Sequence, residues 1–174
     1  MKKLLIGLLA AGSLLAFGAP AYADYYEIRN FGSEMCAGLN SWELYSNGAP
    51  IVQHTCNGSP EQLWSAVPVG SDYYMFVNLR SGKCMDVTNG TDANWTPVQQ
   101  WACTNTNGMK WKTPIPAFTP HWVTTRLGAR PPYVQGRCLD VRGGSLEEGA
   151  QIQIYNCTST NSAQVWTITQ PRGA

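Results

Sequence analysis

Charge is what this sequence has least of. Only 13% of its 174 residues are Asp, Glu, Lys or Arg, with 12 Lys+Arg against 11 Asp+Glu and just two histidines. Two of those lysines, Lys2 and Lys3, sit at the extreme N-terminus. So near-neutral a chain carries no basic patch for nucleic acid or an anionic membrane, and its partner is expected to be uncharged. Beyond Phe17 no apolar run approaches the roughly 20 residues of a spanning helix, so membrane insertion of the mature chain is not expected. G-x-S-x-G, H-E-x-x-H and glycine-rich phosphate loops are absent, which leaves an enzyme without its usual catalytic inventory. There is no C-x-x-C or clustered Cys/His spacing for zinc, and nothing calls for a metal or cofactor. What is plentiful is Trp (7), Tyr (8) and the neutral polar residues Asn, Gln, Thr and Ser. A surface made of these works by stacking and neutral hydrogen bonds.

The N-terminus reads as an export signal. Lys2 and Lys3 precede an apolar run from Leu4 to about Phe17, followed by Ala21-Tyr22-Ala23, a small-residue cleavage site. Residues 1–23 are therefore set aside as a secretory signal peptide. Residues 24–174 form one domain of ordinary size, expected to be secreted, extracellular or periplasmic.

The cysteines organise that domain. Cys36 and Cys56 are 20 apart, Cys84 and Cys103 are 19 apart, and Cys138 and Cys157 are 19 apart. An even count in an exported chain favours disulfides, and although six cysteines permit 15 connectivities, the equal intervals select pairing within each interval. A tryptophan follows each second cysteine: Trp64, Trp111 and Trp166. This is an internal repeat, with copies at about 25–69, 70–116 and 117–170. The third copy is longer by about seven residues, for which the Pro/Gly-rich Arg130–Gly136 is the candidate insertion.

Each copy reads as short alternating or β-branched runs broken by turn residues, for example Tyr73–Val77, Cys84–Val87 and Pro97–Trp101. Four strands per copy gives about twelve, with no convincing amphipathic helix. A four-stranded unit cannot bury its own apolar face, so the three copies must close on one another as an all-β, pseudo-three-fold barrel with a hairpin cap.

Gln62-Leu63-Trp64 and Gln164-Val165-Trp166 resemble the Q-x-W signature of ricin-type lectins, with Met109-Lys110-Trp111 the same site carrying Met for Gln. Cys84-Met85-Asp86-Val87 and Cys138-Leu139-Asp140-Val141 resemble that family's C-L-D-V segment. The resemblance spans essentially the whole mature chain and coincides with the repeat. It implies a β-trefoil, and a sugar pocket on each copy that keeps the Asp, a Gln, an aromatic before the second cysteine, and an Asn just before the Q-x-W glutamine. The second copy offers Asp86, Gln99 and Trp101, with Gly108 at the Asn position and Asn107 as a stand-in. The third offers Asp140, Gln153 and Tyr155, with Ala163 at the Asn position and Asn161 as a stand-in. The first has Gly38, Val52, His54 and Glu61 at these four places and is expected to be dead or altered.

The residue types make chemical sense together. A flat aromatic meets the C–H face of a pyranose, a carboxylate accepts hydrogen bonds from adjacent hydroxyls, and amides complete the rim because they donate and accept at once. The implied ligand is a galactose-type or related glycan, on a polysaccharide or cell-surface glycoconjugate, with a toxin or hydrolase subunit as a further partner. The repeating tryptophans belong to the core, and Gln62 and Gln164 tie backbone. For Trp101 and Tyr155 the bland alternative is an ordinary exposed aromatic; for Asp86 and Asp140 it is a turn carboxylate. His54 and His121 read as surface or packing residues. The rival to a lectin is a protein-binding trefoil with decayed sugar sites, such as a toxin receptor-binding subunit or a protease inhibitor.

Overall fold

The computed structural model describes residues 25–129 and 136–171. The leader and residues 130–135 of the candidate insertion lie outside the described residues. The first repeat forms β1 (Tyr25–Asn30), β2 (Cys36–Leu39), β3 (Ile51–His54) and β4 (Leu63–Pro68). The second forms β5 (Tyr73–Asn78), β6 (Cys84–Val87), β7 (Thr96–Trp101) and β8 (Trp111–Lys112). The third forms β9 (Ala117–Trp122), β10 (Thr124–Thr125), β11 (Cys138–Val141), β12 (Ile152–Tyr155) and β13 (Val165–Thr169).

Among the described residues that makes thirteen strands against the expected twelve or so, because the first strand of the third repeat is broken at Val123. Val123 is fully buried, and its carbonyl accepts from the Leu139 N–H at 2.8 Å, which draws it out of the barrel ladder.

The first and last strands of the repeats close a ring. β1 pairs with β4, β4 with β5, β5 with β8, β8 with β10, β9 with β13, and β13 with β1, all antiparallel. Closure leaves no strand edge exposed along the barrel. The middle strands form three hairpins, β2–β3, β6–β7 and β11–β12, which cap one end. These touch one another through β12–β7 pairing and the bridges Pro50–Gln99 and Val52–Gln151.

Period-two alternation sends one residue set inward from each copy. Ile28, Phe76 and Val123 occupy one level, Ala37, Met85 and Leu139 another, and Ile51, Val98 and Ile152 a third, all at 0% exposure. Trp64, Trp111 and Trp166 fill the centre, also at 0%. Their indole N–H groups donate to the carbonyls of Ala37, Met85 and Leu139 at 2.9, 3.1 and 3.0 Å, so no buried donor is left unpaired there. The cysteines pair as the intervals imply, Cys36–Cys56, Cys84–Cys103 and Cys138–Cys157. Each bridge fastens the start of a cap hairpin to the chain leaving it, and each closes a loop worth about 3 kcal/mol in the chain-entropy model.

Candidate functional site

The cap hairpins set the polar residues in register. Asp86 stands opposite Gln99, and Asp140 opposite Gln153, while Trp101 and Tyr155 stand opposite Cys84 and Cys138. An aromatic two residues beyond the glutamine shares its face of the strand, so carboxylate, amide and ring converge. Gln99 Nε2 donates to Asp86 Oδ2 at 3.0 Å, and Gln153 Nε2 to Asp140 Oδ1 at 2.8 Å.

In the second repeat a cavity of about 280 Å³ is lined by Asp86, Asn89, Gly90, Gln99, Trp101, Thr104, Thr106 and Met109. Asn107 does not line it. The three-residue 3-10 turn Asn107–Met109 has about three residues per revolution, so neighbouring side chains diverge by roughly 120°. A Cβ at Gly108 would lie 3.0 Å from Asp86 Oδ1, which makes position 108 the one aimed at the carboxylate and turns Asn107 away. In the third repeat a cavity of about 270 Å³ is lined by Trp95, Asp140, Gly143, Gly144, Tyr155 and Asn161. Asn161 Nδ2 reaches Asp140 Oδ2 at 3.5 Å, and its side-chain oxygen accepts from the Ala163 N–H that opens the following 3-10 turn. Counted back from each core tryptophan, the counterpart of Asn161 in the second repeat is Thr106. The third copy has one more residue between its second cysteine and its tryptophan, and this hid the correspondence.

Gln153, expected to meet the sugar, does not line the third cavity either. It is 1% exposed and lies behind Asp140, so it orients the carboxylate instead of facing the cavity. Gln99, its counterpart, does line its cavity. Gln62 and Gln164 tie backbone as expected: their amide oxygens accept from the N–H groups of Asn57 and Thr158, and their amide nitrogens donate to the carbonyls of Thr55 and Asn156. At the same place in the second repeat the Thr104 N–H meets Met109 Sδ at 3.4 Å.

Burial pushes the carboxyls of Asp86 and Asp140 above the usual aspartate value, and the hydrogen bonds from Gln99 and Gln153 offset only part of this. Each is thus a poorly hydrated acceptor that shares its cavity with a ring, suited to neutral donors.

The first repeat presents no such set. Gly38 stands opposite Val52. His54 is engaged instead, its Nδ1 bonding Glu148 Oε1 at 2.7 Å, while Glu148 Oε2 accepts from the Thr55 N–H at 2.9 Å and hydroxyl at 3.0 Å. Desolvation opposes ionisation of Glu148, but these bonds outweigh it and hold the carboxyl below its usual range. His121 bonds the Thr119 carbonyl.

Three larger cavities, about 420, 500 and 360 Å³, lie elsewhere, beside Arg137, beside Tyr74 and Lys112, and beside Tyr73 and Arg126. The first is lined by Asp92, Asn156 and Trp122, but Arg137 already engages that carboxylate and that amide together with Asn94, and the other two have no amide in their linings. Among the described residues, Glu27, Cys36 and Cys56 cluster at metal-ligand spacing, but the two sulfurs are bonded to each other and offer no thiolate.

What sequence reasoning missed is Trp95, Asn89, Thr104 and Thr106. None is in the repeat signature, and Trp95 reaches the third pocket from the second repeat.

Comparison with known proteins agrees with this architecture. A profile of the family described as ricin-type beta-trefoil lectin domain-like matches residues 15–117, more than half of the chain. Nigrin b of Sambucus nigra is 30% identical over 90 residues, 51% of this chain and 13% of that protein. Serine protease 1 of Rarobacter faecitabidus is 36% identical over 90 residues, 50% of this chain and 14% of that protein. The chain thus matches only a small part of each curated relative. The ricin B-like lectin of Macrolepiota procera, solved in complex with lactose, superposes with a TM-score of 0.66 at 18% identity, covering 84% of this chain and 95% of that one. With its three-fold closed barrel, its repeating Q-x-W and C-x-D-V segments and this profile match, the chain belongs to the ricin-type β-trefoil lectin-like family.

Proposed function

We propose that this protein binds neutral glycans, without catalysis, through the pockets of the second and third repeats. The observation that carries this is the recurrence of one arrangement at two places. A buried aspartate sits hydrogen-bonded to the glutamine opposite it, beside a ring, in cavities of about 280 and 270 Å³. In the second pocket Asp86, Gln99 and Thr106 would meet the hydroxyl rim, with Trp101 under the C–H face. In the third Asp140 and Asn161 would do so, with Tyr155 as platform and Gln153 holding Asp140 in place. A galactose-type sugar fits the family resemblance, and the Macrolepiota lectin's lactose complex supports that class.

Glycosidase work needs two carboxyls across one cleft, whereas Asp86 and Asp140 occupy separate cavities of different repeats. Export is part of the proposal, supported by the basic-apolar-small leader and three disulfides. So is association with a hydrolase or toxin component, which the partial match to a serine protease supports. One observation favours a protein-binding role: with Gly108 at its Asn position and Asn107 turned away, the second pocket lacks the amide that Asn161 supplies in the third.

The test is a glycan array probed with the mature protein and with the Asp86→Ala/Asp140→Ala double variant. Wild-type signal that the double variant loses is the expected result. Equal signal from both proteins would place the sugar elsewhere, and no signal from either would favour the protein-binding role.

A further inference from the structure

The three repeats lay their cap loops against one another in rotation. The Gly48 N–H donates to the Gln100 carbonyl at 2.9 Å, the Trp95 N–H to the Ile154 carbonyl at 3.1 Å, and the Gly149 N–H to the Gln53 carbonyl at 2.8 Å. The residue before each does the same work with its side chain. Asn47 accepts from the Ala102 N–H, Asn94 from the Asn156 N–H, and Glu148 from the Thr55 N–H. Positions 48, 95 and 149 are therefore equivalent, and all three are left-handed, with φ of +86°, +70° and +78°.

Two copies meet that requirement with glycine. The second places a tryptophan there, where a Cβ is disfavoured. The indole gains little burial in return, since Trp95 is 54% exposed. Its contact is instead with the platform ring of the next repeat: Trp95 and Tyr155 have centroids 4.6 Å apart and planes inclined at 66°. The same position in the first repeat points the same way, because a Cβ at Gly48 would lie 3.8 Å from Trp101 Cζ3. A side chain here is aimed at the neighbouring pocket, and strained backbone that produces so little burial marks a place to look for function.

We infer that Trp95 turns the third pocket into a two-sugar site, with Tyr155 under the ring held by Asp140 and Asn161 and the Trp95 indole under the ring linked to it. The inference rests on the glycan reading of that pocket. Trp95 lines the cavity with more than half of its surface exposed, and the left-handed glycines Gly143 and Gly144 supply wall that carries no side chain. The second pocket, bordered by Gly48, has no such extension. The two sites then differ in what they read: the second reads one terminal residue, and the third reads a residue with its neighbour.

The test substitutes Trp95→Gly, the residue of the other two copies, which removes the strained side chain without asking the backbone to move. The second pocket is silenced by Asp86→Ala, or independently by Trp101→Ala, and calorimetric titrations compare galactose with lactose and xylose with xylobiose. The expected result is that the silenced parent prefers a disaccharide by about three- to tenfold, the scale of one aromatic contact, and that Trp95→Gly removes most of that preference. A preference unchanged by Trp95→Gly, or absent from the parent, overturns the inference while the pocket reading stands. If Asp140→Ala leaves every sugar titration of the parent unaltered, the pocket reading itself has failed, and the inference with it.

Discussion

Trp111 and Trp101 lie ten residues apart in one repeat and should respond to truncation in opposite ways. Trp111 is fully enclosed at the centre of the barrel, and its indole N–H donates to the Met85 carbonyl at 3.1 Å. Trp111→Ala leaves a cavity with Trp64 and Trp166 held on either side of it by closed strands, and it strands that carbonyl. Large-to-small changes of buried aromatics cost about 3–5 kcal/mol, and an unsatisfied buried acceptor about 1–3 kcal/mol more. Against a total of about 5–15 kcal/mol this is a large fraction. In a domain of this size each kcal/mol moves the melting temperature by about 2–4 °C, so a drop on the order of 10 °C or more is expected. Trp101 is 40% exposed at the rim of its pocket, and Trp101→Ala should move the melting temperature by less than about 2 °C. Its effect should appear instead as loss of one sugar site. The assay is circular-dichroism melting of both variants with disulfides intact, followed by sugar titration of whichever remains folded. If Trp101→Ala melts early while Trp111→Ala melts like wild type, the division into core and platform is wrong.

Acidification should separate binding from stability. Because the native carboxyls of Asp86 and Asp140 are raised, sugar binding should be lost at a pH above the ordinary aspartate range. The native state takes up those protons before the unfolded chain, so between the unfolded and folded values these two groups stabilise the fold as pH falls. Glu148 acts in the opposite sense, its contribution being present above its unfolded value and lost as pH falls through its depressed folded one. Titrations and melts across the acid range would show binding failing first; simultaneous loss would contradict this account. Monosaccharide affinity should be near millimolar, about −4 kcal/mol, while two pockets on one rigid barrel can gain roughly 10²–10⁴ on a multivalent surface. Asp86→Ala or Asp140→Ala alone should therefore sharply weaken retention on a glycan column while only halving the sites counted by titration, and strong retention by a single-site variant would argue against avidity. Peptide mapping without reduction should recover only the linked pairs Cys36–Cys56, Cys84–Cys103 and Cys138–Cys157, and any cross-repeat pair would contradict the register of the fold.

The sequence by itself determined whatever repeats or alternates. Equal cysteine intervals gave the pairing, period-two runs gave the strands, and the recurring tryptophans, apolar and flanked by strand residues, had to be the core. Asp86, Gln99, Trp101, Asp140, Tyr155 and Asn161 were named from the family resemblance, and the structure sets them beside two cavities because hairpin register and the turn after β12 follow the same residue count. Tertiary structure alone decided the rest. Whether Gln153 faces a cavity or lies behind Asp140 depends on how deeply β12 sits against its neighbours, which no local pattern encodes. Asn107 was misread because a 3-10 turn rotates its side chains by a third of a revolution per residue, so that Gly108 holds the place aimed at Asp86 and Thr106 lines the cavity. Trp95 could not be placed at all. Its partner belongs to the next copy, 60 positions away by sequence number, and only closure of three loops around a pseudo-three-fold axis brings an indole held at φ +70° against Tyr155.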